Sequence, residues 1–498
     1  MLQENAAPAK RAPEVRKLQA LLAEFVGTFF LILVARLSSN ISSLGDDGER
    51  RFLALGFTLA ALVYSFDHIS GAHFNPAVTF GMVISRGLPP WTGLQYVVTQ
   101  VLGAICGGLV SRAIGPSSDT SGFTPASYGS AWAVEFIFTF ALILVQQNVG
   151  AEKNSSREPN SYFGIAVAFT VLAGACSTYP ISGGCFNPAI GTGAEFATMF
   201  CASCPVSMSN LWLYWTAPLA GALAASLVSW FQNLPQQDGV DLPAVVPLTE
   251  LIGTFLIVIT ASLTSGSSAT QPLAIGSMVL AMVYMGDHVC GADYNPAVTL
   301  GAALRFGTPM KEWWKVGVTI AAQFIGAVGA ALAAYGIEGK VNLPNPGVVG
   351  GGSGGQLGAL TYEILWSSLL VYMACAVMTP ISGDALSAEE ERMERAGHSR
   401  SYQGLAMGFT VAGGIYGGIG SGSGGVFNPA LGSAVLLVQS VILKGDGSFV
   451  WIYWLGPFLG SFIGAALFSL LHYHNDPDIA FGEFIIAPFF FYFYVPHL

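Results

Sequence analysis

The chain has 498 residues, of which 53% are hydrophobic and only 10% charged, with a formal net charge of −10. Soluble proteins carry roughly 25% charged residues, so this chain lacks the charge to cover a water-facing surface of its size, and neither disorder nor a collagen-like repeat fits. No basic block offers a surface for nucleic acid, and seven scattered cysteines make no paired disulfide framework.

In chain order, residues 1–17 form a basic amino-terminal segment with Lys10, Arg11, Arg16 and Lys17. The apolar run at 18–34 contains Glu24, is long enough to cross a bilayer and lacks a small-residue cleavage site. It reads as a retained first span rather than a signal peptide. Further stretches long enough to cross lie near 51–68, 91–113, 130–149, 162–178 and 210–231. After a polar linker at 236–245, six more follow near 247–264, 271–288, 313–336, 358–378, 403–419 and 449–472. Twelve spans of ~20 residues account for about half the chain. The expected class is therefore an all-α polytopic membrane protein.

The chain repeats itself. HISGAHFNPAVTFG at 68–81 matches HVCGADYNPAVTLG at 288–301, and GCFNPAIGTG at 184–193 matches GVFNPALGSA at 425–434. Residues 18–235 and 246–474 are thus two copies of one unit, with an aromatic tail at 475–498. Each copy is two-fold again. A glutamate opens each half (Glu24, Glu135, Glu250, Glu363), and an Asn-Pro-Ala triplet follows. The triplets are Asn75-Pro76-Ala77, Asn187-Pro188-Ala189, Asn295-Pro296-Ala297 and Asn428-Pro429-Ala430. Three spans per half make the second half of each copy inverted, a plan common among transport folds. With the amino terminus inside, thirteen of the 19 basic residues fall in or near inner loops, among them Arg305, and Arg36 falls outside. That balance puts both termini on the cytoplasmic side.

Asparagine caps a helix and proline suits its first turn. The apolar segments after each triplet are too short to span, so they read as re-entrant half-helices. A facing pair would aim two electropositive helix ends and two asparagine amides at a water-filled path.

With four triplets in a four-fold pattern, the chain resembles two aquaporin (major intrinsic protein) units in tandem, across nearly all of 18–472. AEFVGTF at 23–29, SGAHFNPAVT at 70–79, Gln100, Gln323 and the Pro218/Gly221 and Pro457/Gly460 pairs carry the resemblance further. It implies two bundles, each of six transmembrane helices plus two half-helices. It also implies a passive channel, not an enzyme, with one pore per unit that passes water or small neutral solutes and excludes ions and protons. No cofactor or metal is expected. The four glutamates would brace the re-entrant loops; their distances to the triplet asparagine are 51, 52 and 45 residues in the first three quarters. Family members are tetramers of single units, so two chains would build a four-pore ring, or the chain would join a larger membrane assembly.

Water-selective relatives carry an arginine directly after the second triplet of each unit. Here Ile190 and Leu431 stand there. Ungapped counting gives the other filter positions as Leu55, Ala175 and Gly184 in copy one, and Ile275, Tyr416 and Gly425 in copy two. Such a mouth is wider and apolar in copy one, whereas in copy two Tyr416 would narrow it and return one hydroxyl; an apolar constriction favours glycerol-like solutes. Two other classes compete: a structural subunit with poorly conducting pores, and a coupled secondary transporter, which would need further mid-membrane charges. Cys201 and Cys204 read as a local disulfide or as two thiols. Cys185 is placed near the pore. His68, His73 and His288 read as loop packing, and Asp293 replaces the matching His73. The charged run at 382–401 reads as a solvated or docking surface. The tail at 485–496 reads as an interfacial anchor or a subunit contact.

Overall fold

The computed structural model describes residues 13–39, 49–115, 123, 125–154, 162–199, 208–238, 242–264, 270–305, 308–341, 354–378 and 402–472. The Cys201/Cys204 pair, the charged run at 382–401 and the aromatic tail lie outside the described residues.

The long helices of the first repeat are α1 (Pro13–Ser39), α2 (Glu49–Ser70), α4 (Pro90–Ile114), α5 (Tyr128–Asn154), α6 (Phe163–Ser182) and α8 (Leu211–Asp238). Those of the second are α9 (Val245–Leu263), α10 (Thr270–Cys290), α12 (Trp313–Glu338), α13 (Gly354–Met378), α14 (Gln403–Ser421) and α16 (Ile452–His472). Four short helices complete the set: α3 (Pro76–Ile84), α7 (Pro188–Thr198), α11 (Pro296–Arg305) and α15 (Pro429–Leu437). The fold is all-α, with six long helices and two half-helices per repeat. Among the described residues, eleven helices are long and apolar enough to cross a membrane. The twelfth, α14, has 19 residues and is rich in glycine, which dilutes its hydropathy without shortening it.

The half-helices have 9, 11, 10 and 9 residues. At 1.5 Å per residue each reaches about 15 Å, half the hydrocarbon thickness. Two of them laid end to end therefore cross one bilayer.

The chain divides into two compact units, residues 1–143 with 185–226, and 144–184 with 227–498. In the first, α4 packs on α1 and α7 through glycines. A Cβ on Gly103 or Gly107 would strike the carbonyls of Phe25 and Phe29, and one on Gly193 would strike the carbonyl of Ala104. Small residues at such crossings let backbones touch where no water drives association. In the second unit, Gly326 meets the carbonyl of Leu251, and Gly460 and Gly464 bring α16 against α13 at Ser367 and Ser368.

The second unit also holds a seam between the repeats, because α6 packs on α10. Tyr162 stacks on Tyr284 with ring centroids 4.0 Å apart and planes 8° from parallel. Such a pair contributes about 0.5–1.5 kcal/mol beyond its burial. Beside it, Asn148 Nδ2 donates to Gln232 Oε1 (2.7 Å) and Gln232 Nε2 donates to Thr249 Oγ1 (2.9 Å). Ser229 Oγ and Asn233 Nδ2 donate to Asn148 Oδ1. At the opposite end of α6, Ser177 Oγ and Thr264 Oγ1 lie 3.0 Å apart. Side chains of α5, α6 and α8 thus tie directly to α9 and α10, which is why the compact division cuts across the sequence repeat.

Two cations expected in or near loops are buried. Arg36, only 3% exposed, donates from Nε to Ser111 Oγ (2.9 Å) and from Nη1 to the Ala194 carbonyl (3.4 Å). A cation suits that late turn of α7. Arg305 ends α11 with its guanidinium carbon 4.4 Å from the Phe468 ring centroid, a cation–π contact.

The glycine crossings make a direct stability test. Gly193→Ala places a methyl group into the backbone of α4, whereas Gly317→Ala meets nothing within 4 Å. Thermal unfolding of the detergent-solubilised protein should show a loss of about 1–3 kcal/mol for Gly193→Ala and none for Gly317→Ala.

Candidate functional site

Each half-helix begins with the same cap. Asn75 Oδ1 accepts from the Ala77 amide (2.8 Å) and Asn295 Oδ1 from the Ala297 amide (2.9 Å). Asn187 Oδ1 accepts from Ala189 (3.0 Å) and Ile190 (3.3 Å), and Asn428 Oδ1 from Ala430 (3.0 Å) and Leu431 (3.3 Å). Pro76, Pro188, Pro296 and Pro429 occupy the first helical position, where no N–H is needed.

The amide nitrogen of each asparagine crosses to the opposite half-helix. Asn75 Nδ2 donates to the Phe186 carbonyl and Asn187 Nδ2 to the Phe74 carbonyl, both at 2.9 Å. In the second repeat Asn295 Nδ2 donates to Phe427 (2.8 Å) and Asn428 Nδ2 to Tyr294 (3.0 Å). The half-helices of a pair therefore meet amino end to amino end, locked by two reciprocal bonds. One N–H of each amide is consumed in the lock, which leaves the second for a guest.

The carbonyls that receive these bonds belong to aromatic residues in left-handed backbone: Phe74 (φ 51°), Phe186 (50°), Tyr294 (50°) and Phe427 (53°). That conformation costs a bulky residue about 1–3 kcal/mol. It persists because the neighbouring peptide groups are held on both sides. Phe74 N donates to Glu24 Oε2 (2.7 Å) and His73 N to Glu24 Oε1 (3.0 Å). Phe186 and Cys185 amides bind Glu135 (2.6 and 2.9 Å), Tyr294 and Asp293 amides bind Glu250 (2.7 and 3.0 Å), and Phe427 and Val426 amides bind Glu363 (2.7 and 2.9 Å). Glu363 makes the same contacts as the other three despite its longer loop.

All four carboxylates are fully buried. A membrane-embedded charge is expensive unless surrounded by donors, and here the donors are supplied. Gln100 Nε2 reaches both Glu24 Oε2 (2.8 Å) and Thr79 Oγ1 (2.9 Å), and Gln323 Nε2 reaches both Glu250 Oε2 (2.9 Å) and Thr299 Oγ1 (2.8 Å). Ser70 Oγ adds a bond to Glu24 at 2.6 Å. The left-handed aromatics and the two threonines are site residues that motif reading passed over. Their signal is present as an aromatic directly before every triplet and as Gly27 and Gly253, three residues after a glutamate. The rings of Phe74 and Tyr294 lie flush against those glycines, leaving no room for a Cβ.

In the second unit the lock borders a cavity. About 50 Å³ is open to the centre of a water molecule, room for a short file of waters. Asn295, Asn428, Asp293 and Gln271 are its polar lining, and Ile275, Ile415, Gly425 and Leu431 contribute its apolar side. The expected filter position Tyr416 is displaced. Ile415 lines the cavity, whereas Tyr416 is half-exposed on the outer side of α14. A Cβ on Gly425 would abut Ile415 Cα, as one on Gly184 would abut Ala175 Cα. Ten residues separate the second pair and nine the first, so one inserted residue shifts the count. Of the copy-one positions, Leu55 and Ile190 lie in the first unit and Ala175 and Gly184 in the second. Ile190 and Ala175 are buried and Leu55 is half-buried.

The remaining flagged side chains are anchored. His73 Nδ1 lies 3.1 Å from Thr79 Oγ1 and its ring packs edge-on to Tyr96. Cys185 Sγ donates to the Asn187 carbonyl (3.1 Å) beside the triplet.

The carboxylate brace is open to test. Glu24→Gln removes one acceptor oxygen and all of the charge. Hydrogen–deuterium exchange should show the His73 and Phe74 amides exchanging ~10-fold faster or more, the loss expected for bonds to a charged acceptor. The Cys185 and Phe186 amides, held by Glu135, should keep their wild-type rates.

The family comparison agrees with this architecture. The family model described as Major intrinsic protein matches residues 11–229 and again 245–468. Nodulin-26 of Glycine max is 34% identical over 224 residues, covering 44% of this chain and 78% of the relative. Aquaporin Z of Brucella melitensis is 31% identical over 229 residues, covering 42% and 96%. A glycerol uptake facilitator protein-like 6 of Lactiplantibacillus plantarum is 32% identical over 214 residues, covering 41% and 94%. The aquaglyceroporin structure from Plasmodium falciparum aligns with a TM-score of 0.40 at 21% identity, covering 45% of this chain and all of that one. Less than half of this chain covers 78–96% of these curated relatives, the family model matches twice, and the chain belongs to the major intrinsic protein family as a tandem fusion of two of its units.

Proposed function

We propose that in this integral, multi-pass member of a family of passive channels for water and small solutes each repeat, 18–235 and 246–474, carries its own passage, that both termini face the cytoplasm, and that the passages admit small uncharged solutes with a carbon face, such as glycerol, together with water. Two chains then present four passages in one assembly.

The carrying observation is the lining of the second-repeat cavity: Ile275, Ile415 and Leu431 on one side, and Asn295 and Asn428 at the lock. A file of water loses hydrogen bonds along such an apolar wall, whereas a polyol turns its methylene edge to it and its hydroxyls to the amides. No arginine follows the second triplet in either repeat, so ion rejection falls to the paired helix ends and to desolvation. A cation meets two positive helix termini of roughly +0.5 elementary charge each. An anion is drawn to them but cannot recover its hydration from two amide donors.

Reconstituted protein in liposomes tests this by stopped-flow light scattering. Wild-type vesicles should pass water and glycerol well above lipid alone. Ile190→Arg with Leu431→Arg fills both mouths with a guanidinium and should cut glycerol flux about 10-fold or more, the consequence of ~1.4 kcal/mol or more of added barrier, while retaining more of the water flux. Vesicles no leakier than bare lipid to either solute refute the reading, and flux that saturates and follows an ion gradient replaces it with coupled transport.

A further inference from the structure

The wall of the second-repeat cavity sits on a helix whose match to the first repeat slips by one residue. Counted forward from the cap residues Tyr162 and Tyr402, the repeats match at an offset of 240, and Ala175 pairs with Ile415. Counted back from the second triplet the offset is 241, and Ala175 pairs with Tyr416. The loop ends obey the second count: the Gly184 amide donates to Ser182 Oγ (3.1 Å) and the Gly425 amide to Ser423 Oγ (2.9 Å). The wall obeys the first, because Ile415 lines the cavity. The extra residue is therefore absorbed between them, at the end of α14. Gly422 is left-handed there (φ 75°) and the Gly424 amide reaches back six residues to the Gly418 carbonyl (3.1 Å). In α6 the closing bond spans only four, from the Gly183 amide to the Tyr179 carbonyl (3.0 Å).

Two side chains of α13 hold α14 ahead of that turn. Tyr362 Oη donates to the Gly414 carbonyl and Trp366 Nε1 to the Thr410 carbonyl, both at 2.8 Å. Donors and acceptors are each four residues apart, one helical turn, so the two bonds form rungs between the helices. A carbonyl within a helix keeps a second lone pair for such a donor. The two rings stack with centroids 5.7 Å apart, and the left-handed Phe427 packs against both. The glycines of α14 are their seat. A Cβ on Gly414 would fall on the Trp366 indole, and one on Gly417 on the Tyr362 hydroxyl. A slip that brought Tyr416 to the wall would carry Ile415 into the seat of Gly414, where not even a Cβ fits. The first repeat has no such pair. The bracing glutamates, 228 residues apart, match Tyr362 and Trp366 to Val134 and Phe138, which have no donor. There the Gly174 carbonyl accepts instead from Thr178 Oγ1 of its own helix (2.9 Å), and Gly418 stands at the position of that threonine.

We infer that Tyr362 and Trp366 are the positioning residues that decide the wall of the second passage. By pinning α14 at Thr410 and Gly414 they turn Ile415 inward, send the extra residue to the Gly422 turn and keep a phenol out of the passage. Neither lines the cavity, so the preference for a carbon-faced solute depends on two side chains that touch no solute. The inference rests on the reading of this cavity as a passage.

Full-length Ile415→Cys and Tyr416→Cys proteins in liposomes are exposed to methyl methanethiosulfonate, and peptide mass mapping reads the label at each position. The reagent attacks thiolates, which form in water and not in lipid. With both aromatics intact, the thiol at 415 should label ~10-fold faster or more than the one at 416, the bias that two neutral hydrogen bonds sustain. Glycerol should slow that labelling. Tyr362→Phe with Trp366→Phe removes both donors and should reverse the order. Deleting Gly422 restores the spacing of the first repeat between the wall and the following glycine, which leaves a single register. In the double-phenylalanine background that deletion should return the faster labelling to 415, a rescue that a merely structural defect would not show. An order unchanged by the double variant overturns the inference. An order that is lost but not restored by the deletion assigns the aromatics to folding alone and overturns it as well. Labelling at 415 that glycerol does not slow removes the passage reading and leaves the register assignment standing.

Discussion

The architecture turns on the backbone of one residue, used four times: the left-handed aromatic before each triplet. Its N–H is held by a buried carboxylate and its C=O by the asparagine amide of the facing half-helix. Neither restraint suffices alone. The carboxylate fixes the loop to a spanning helix but does not set the distance between half-helices. The amide sets that distance but would pull a free loop inward. Together they hold two helix amino ends at mid-membrane, where irregular backbone survives only if every polar group is satisfied.

The cost of burying four carboxylates follows from the same residue. Each must accept two adjacent backbone N–H groups, which only a carboxylate does with both oxygens at once. The first and third carry a further load, because their glutamine partners also reach a threonine on the half-helix. Loop, half-helix and spanning helix are joined there through a single amide nitrogen. The burden then passes to packing: Gly27 and Gly253 are excluded from larger residues because the aromatic rings, fixed by the lock, occupy the space a Cβ would need.

Much of this was legible in the residues. The twelve apolar stretches, the internal duplication and the four capped half-helices follow from hydropathy, repetition and the chemistry of Asn-Pro, which are local signals. The glutamates were legible because a charge in an apolar run demands a reason. What escaped were the features defined by a facing surface. Ungapped counting points Tyr416 inward, because counting along α14 cannot see one extra residue between Ile415 and Gly425. Arg36 and Arg305 look like cations in or near loops because their partners, Ser111 with Ala194 and the Phe468 ring, stand 75 or more residues away. The seam between repeats was invisible for the same reason, since Tyr162 and Tyr284 carry no motif.

Duplication explains which positions are free to differ. The lock, the carboxylates, the glutamines and the threonines are the same in both repeats. The side chains they position are not. His73 and Asp293 occupy equivalent loop positions, each with its backbone N–H on a glutamate. One presents an imidazole against Tyr96, and the other lines the cavity of its repeat with a carboxylate. Ala175 and Ile415 stand equally close to a left-handed glycine, yet differ by three carbons of wall. A frame fixed by the asparagine amides, the glutamates and the glutamines tolerates such exchanges because those bonds run to backbone groups and threonines rather than through the exchanged side chain. Fusion of two units in one chain then lets the side chains around each lock diverge against an unchanged frame.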